Sequence, residues 1–366
     1  MNAFVKPPLQ AMSRNAGIDA LRASLILLVV FHHAAITYGA VGLWFYREIE
    51  PSSAPSSFLL MLFCSYNQAF SMGLFFLIAG SLTPGAIARH GTPEFLRERL
   101  LRLGAPLLVF ILAIGPLTVA LAETVHGYPF FAVLGWLAIH AMIIPGPMWF
   151  VEALLIFSAV YVALRAAIGP ARLERARPFP SNAILAISAL GTGAAAFLLR
   201  LRWPHGADVL GLQLGYFASY VVLFAAGCLG AKGRWLENVP TKQLLTWRWV
   251  SLAAAVAYAF VILADRWSPA FYAFWEPLFA WGVILSLLVF FQRRFAELSP
   301  IWRKLARRSY LIYIIHPPIL VGVSLAMRAL AAPALVKFAL AGTAACALCF
   351  IAAGALLTIP AVRRVV

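Results

Sequence analysis

Two histidines and a glutamate stand in stretches of sequence that are otherwise almost wholly apolar, where an ionisable group is costly enough to require a reason. Asp19 and Arg22 are three residues apart, so they share a helix face and can pair near its start. His33 follows Asp19 by fourteen residues, about 21 Å further along a helix axis. At that depth of a bilayer a histidine is either a functional group or a hydrogen-bonded contact between helices. His32 and His33 point about 100° apart, so one of the two faces a given cavity. Further on, Tyr310, Tyr313 and His316 recur at three-residue spacing and fall roughly on one stripe of a helix. Pro317 and Pro318 kink that helix beside His316 and free backbone carbonyls there. Glu152 lies just inside Trp149, a natural interfacial anchor, and needs a partner or a wet cavity.

The chemistry these groups allow is proton transfer. A neutral imidazole suits general-base work near pH 7. Arg99 and Arg102 share a face at the start of another helix, and paired guanidiniums grip phosphate oxygens bidentately. The same two residues would equally serve as anchors on the positive side of a membrane. No Gly-x-Ser-x-Gly elbow or other strong nucleophile motif appears, so chemistry through a covalent serine or cysteine intermediate is not indicated. No metal-ligand cluster is visible. Cys346 and Cys349 have redox or metal spacing, but no second pair or histidine lies near them, so they and Cys64 and Cys228 are expected to be small packing residues.

The elements that hold these residues must be transmembrane helices. Of the 366 residues 63% are hydrophobic and 11% charged, where a soluble domain carries about a quarter charged. Runs such as Leu74–Leu82 and Val250–Leu263 are apolar on every face, and alternating barrel-type patterns are absent. The fold class is all-α, a polytopic integral membrane protein of about ten transmembrane helices. Spans fit near 19–40, 60–86, 100–122, 148–168, 183–201, 210–230, 247–265, 270–291, 309–331 and 335–360. The chain is expected to be a single membrane domain over 1–366, with an uncleaved first helix preceded by a cytoplasmic tail at 1–17.

The net charge of +16 does not indicate nucleic acid, because the basic residues cluster in short segments between spans. The positive-inside rule then puts loops 87–99, 169–181, 231–246 and 292–308 in the cytoplasm with both termini. Segment 128–146 is expected to be re-entrant or interfacial, since a crossing there would put Arg165, Arg172, Arg175 and Arg177 outside. Arg200 and Arg202 are the exception, placed on the outer side.

Taken together, Asp19-x-x-Arg22 followed by His33, Phe75-Phe76 with Gly80, Arg99-x-x-Arg102, Trp149-Phe150 and Ser309-Tyr310-x-x-Tyr313-x-x-His316 resemble the membrane acyltransferase 3 family of O-antigen, peptidoglycan and glucan acyltransferases. Ala79 stands where family members commonly have Ser. The resemblance implies acyl transfer, most commonly of acetyl, from a cytoplasmic acyl-CoA to a hydroxyl of a saccharide, glucan or lipid-linked sugar in a bacterial inner membrane. It implies His33 as catalytic and Arg99 and Arg102 near the CoA; Asp19, Glu152 and His316 are expected to join His33 as catalytic candidates, and Arg22, Tyr310 and Tyr313 to join the two arginines as acyl-CoA-binding candidates. From another class, a small-molecule or lipid transporter would use His33, Glu152 and His316 as a proton or substrate path.

Overall fold

Because lipid offers no hydrogen bonds, a chain this apolar satisfies its backbone within helices, and the computed structural model is built of them. It describes residues 15–204 and 206–365, among which there is no strand beyond an isolated bridge between Val209 and Leu212. The expected tail at 1–17 lies outside the described residues as far as Arg14. The principal helices are α1 (Ala16–Thr37), α2 (Pro55–His90), α3 (Thr92–His126), α4 (Phe130–Ile139), α5 (Gly146–Ile168), α6 (Asn182–Arg202), α7 (Leu214–Gly230), α8 (Thr241–Leu263), α9 (Pro269–Arg294), α10 (Pro300–Ala326) and α11 (Ala334–Leu356). All but α4 and α7 are long and apolar enough to cross a membrane, which makes nine among the described residues. The tenth expected span, 210–230, begins late, because residues ahead of Leu214 form turns. Helix α4 has ten residues and is about 15 Å long, half the thickness of a hydrocarbon core.

Helix α1 is central, packed by α2, α9, α10 and α11. Its start is capped by Asn15, whose side chain accepts from the Ile18 amide at 3.1 Å. Helices α2 and α7 approach so closely that a methyl on Gly80 would strike the Phe224 carbonyl, and one on Gly227 the Leu77 carbonyl. Gly80 is thus required by packing.

Proline explains the irregularity of α3. Pro106 and Pro116 have no N–H to give to the carbonyls four residues earlier, and the turns before them widen into π-helix at Leu100–Gly104 and Phe110–Ile114.

One expectation is corrected. Arg200 is not an outer-loop charge: it is 5% exposed, donates to the Gly215 carbonyl at 2.9 Å and forms a buried ion pair with Glu276 of α9. A helix-end arginine turned into the bundle costs the positive-inside pattern nothing, and Arg202 alone remains exposed there. The four cysteines are free, and three of them are buried.

Candidate functional site

The site is centred where α1 meets α10. His33 Nδ1 lies 3.1 Å from His316 Nε2. On the far side of that ring, His316 Nδ1 lies 2.7 Å from the Tyr313 carbonyl. This is the carbonyl that Pro317, four residues later, leaves without its helical donor. A carbonyl only accepts, so Nδ1 of His316 carries the hydrogen. In the neutral pair Nε2 of His316 is then the acceptor, His33 donates from Nδ1, and the lone pair of His33 sits on Nε2. His316 is fully buried and His33 partly so.

Trp44, in the segment that follows α1, covers the pair. Its indole stacks on His33 with centroids 3.9 Å apart and planes 11° apart, and lies 5.7 Å from His316 at 13°. The indole Nε1 is buried with no hydrogen-bond partner. His32 is set edge-on to His33 at 5.6 Å, turned away from the pair as their helical offset requires.

A line of rings runs from the histidines toward the other end of the bundle. Tyr313 stacks near His316 at 6.1 Å and Tyr310 near Tyr313 at 6.5 Å. The Tyr313 hydroxyl donates to the Pro147 carbonyl. The Tyr310 hydroxyl donates to the Arg102 carbonyl at 2.9 Å, which Pro106 has left free. Arg22 and Arg102 are among the charges acting on Arg99, so three guanidiniums gather at the α1 and α3 starts. Arg22 also pairs with Asp19 at 3.8 Å. Along α1, eleven residues separate Arg22 from His33, about 17 Å.

Phe75, Phe76 and Phe150 form a wall beside this line, with Phe150 4.7 Å from Phe76 and 6.4 Å from Tyr313. Trp149 stacks on Tyr220 at 5.4 Å. These motif residues shape the space and carry no proton chemistry.

The structure therefore brings together His33 and His316 at one end, Arg22, Arg99 and Arg102 at the other, and Tyr310 and Tyr313 between them. Asp19 stays with Arg22, about 21 Å from His33 along the helix. Glu152 makes no hydrogen bond to either histidine, and Asp208, in the segment between α6 and α7, is the charge that acts on it. Trp44 escaped sequence reasoning, since it sits in an irregular segment with no periodicity to give its direction. Among the described residues no group of three or more His, Cys, Asp or Glu could hold a metal ion.

A family model described as an acyltransferase domain, acyltransferase 3, matches residues 15–354. The chain belongs to the acyltransferase 3 family. Both halves of the site lie inside the matched region. It is also similar to glucans biosynthesis protein C of Salmonella gallinarum (strain 287/91 / NCTC 13346), 26% identical over 196 residues. That match covers 51% of this chain and 47% of the relative, so the chain spans about half the length of that acyltransferase 3 relative. No solved structure matches the chain.

Proposed function

We propose that this protein moves an acyl group, acetyl in the simplest case, from cytoplasmic acyl-CoA to a hydroxyl of a saccharide-type acceptor, glucan or lipid-linked sugar included. The observation that carries this is the hydrogen-bonded series from the Tyr313 carbonyl through His316 to His33, which leaves a lone pair on His33 Nε2. His33 is the general base. His316 is a positioning residue that fixes the His33 tautomer, as a second acceptor behind a catalytic imidazole does.

Acyl-CoA is a substrate whose charges and length suit the rest of the site. Its phosphates stay at the cytoplasmic end with Arg22, Arg99 and Arg102, matched by bidentate guanidinium contacts. Its thin arm follows Tyr310 and Tyr313 toward the histidines. The acceptor hydroxyl gives its proton to His33 Nε2 while its oxygen bonds to the thioester carbonyl carbon. The tetrahedral intermediate then expels the CoA sulfur, which takes the proton back from His33. Trp44 supplies an N–H for the developing oxyanion, and its lack of any other partner favours that role. Asp19 orients Arg22, and Glu152 stands with Asp208 where an acceptor would enter from outside.

The protein resides in a bacterial inner membrane with both termini and the basic loops cytoplasmic, an arrangement in which the shorter apolar helix α7 crosses as the tenth span beside the nine longer ones. The test is direct: purified protein in nanodiscs, acetyl-CoA and a glucan acceptor release free thiol together with acylated glucan. A transporter using the same histidines would release no thiol.

A further inference from the structure

A second cationic site lies away from the histidines, on the lipid side of α8 and α9. These two helices touch at Gly282, where a methyl would strike the Trp247 carbonyl and the Ser251 side chain. Beyond that contact, toward the start of α8 and the end of α9, a groove of about 550 Å³ opens. Leu244, Val289 and Phe290 give it apolar walls, and Arg248, Arg293 and Arg294 give it charge. Its surroundings face outward from the bundle: Leu245 is 49% exposed, Trp249 68% and Phe290 57%.

Arg248 is the eighth residue of α8, about 10 Å along the helix from its start. A guanidinium at such a position needs an anion or water to be tolerable. Among the described residues no carboxylate pairs with any of the three arginines; Glu237, on the adjoining segment, is paired with Arg234. Arg294 lies over the Phe295 ring at 5.6 Å, a contact that leaves its hydrogen-bond donors unused. Three forked donors with no protein anion, beside an apolar channel open to lipid, are complementary to one class of molecule.

We infer that this groove binds an anionic phospholipid of the cytoplasmic leaflet. Its phosphate is held by Arg293 and Arg294, with Arg248 reaching toward the headgroup along its own apolar stem, and an acyl chain lies on Leu244, Val289 and Phe290. This binding is independent of acyl transfer and of the histidine site.

The experiment is native mass spectrometry of the full chain in zwitterionic detergent, titrated with phosphatidylglycerol or with phosphatidylcholine of the same chains. One phosphatidylglycerol is retained in preference to phosphatidylcholine. Arg248→Gln, Arg293→Gln and Arg294→Gln each weaken that retention about 5-fold, and the triple variant about 10²-fold. Lys at the same positions loses less, since charge remains while the fork is lost. If the triple variant does not fold, the single and Lys variants carry the comparison. Equal retention of the two lipids, or unchanged retention in the Gln variants, overturns the inference. Displacement of phosphatidylglycerol by millimolar CoA or inorganic phosphate also overturns it, since the groove would then serve a soluble phosphate ligand.

Discussion

His33 and His316, 283 residues apart in sequence, meet through a 3.1 Å hydrogen bond, and the carbonyl that orients His316 is one that Pro317 has stripped of its helical donor. One proline inside the helix thus frees the carbonyl that sets the hydrogen-bonding direction of both imidazoles. If His316 positions His33, His316→Ala lowers the rate of transfer about 10- to 100-fold and leaves KM for acyl-CoA unchanged. His316→Gln places an acceptor near the lost Nε2 and restores part of the rate. Steady-state kinetics on both variants check this; equal losses from Ala and Gln would show that His316 only packs.

Arg99→Ala or Arg102→Ala should raise KM for acyl-CoA by 10-fold or more, because each removes a forked contact to phosphate. Lys should rescue in part. Isothermal titration with a non-reactive CoA analogue separates the roles: unchanged affinity with reduced membrane insertion would make these residues topology anchors.

Trp44→Phe keeps a ring over His33 but deletes the buried N–H, so kcat should fall about 10-fold or more with KM little changed. Replacing the indole with benzothienylalanine, which keeps the bicyclic shape and lacks the donor, should give the same loss. Normal turnover with that residue would remove Trp44 from catalysis and leave it as a cover for the imidazoles.

The proposed orientation rests on the ten-residue α4 failing to cross and on the arginine-rich loops lying in the cytoplasm. In a background without the native cysteines, cysteine placed at Arg175 or Glu237 should resist an impermeant maleimide added from the periplasmic side. Labelling at 175 alone would mean that the 128–146 segment crosses.

Much of this fold was legible because lipid imposes a simple code: span length, apolar faces and basic loops. The histidines were legible for the converse reason, as ionisable groups where such groups are expensive. Even the Pro317 effect could be read, since a proline always frees the carbonyl four residues back. Arg200 misled because a helix-end arginine looks the same whether it meets water or a partner, and its partner Glu276 lies 76 residues away. Trp44 was invisible because the direction of a side chain in irregular backbone is set by tertiary contacts alone. Glu152 and Asp19 drew notice as rare charges, yet helix geometry holds Asp19 near Arg22 and leaves Glu152 beside Asp208.

The assignment of His33 as base stands or falls on thiol release and product formation by His33→Gln beside His32→Gln, each purified, folded and shown to bind CoA. His33→Gln should lose about 10²-fold or more in transfer while its fold and CoA affinity persist, and His32→Gln, aimed about 100° away, should keep most activity. Full transfer by folded His33→Gln, or a loss confined to His32→Gln, would contradict it.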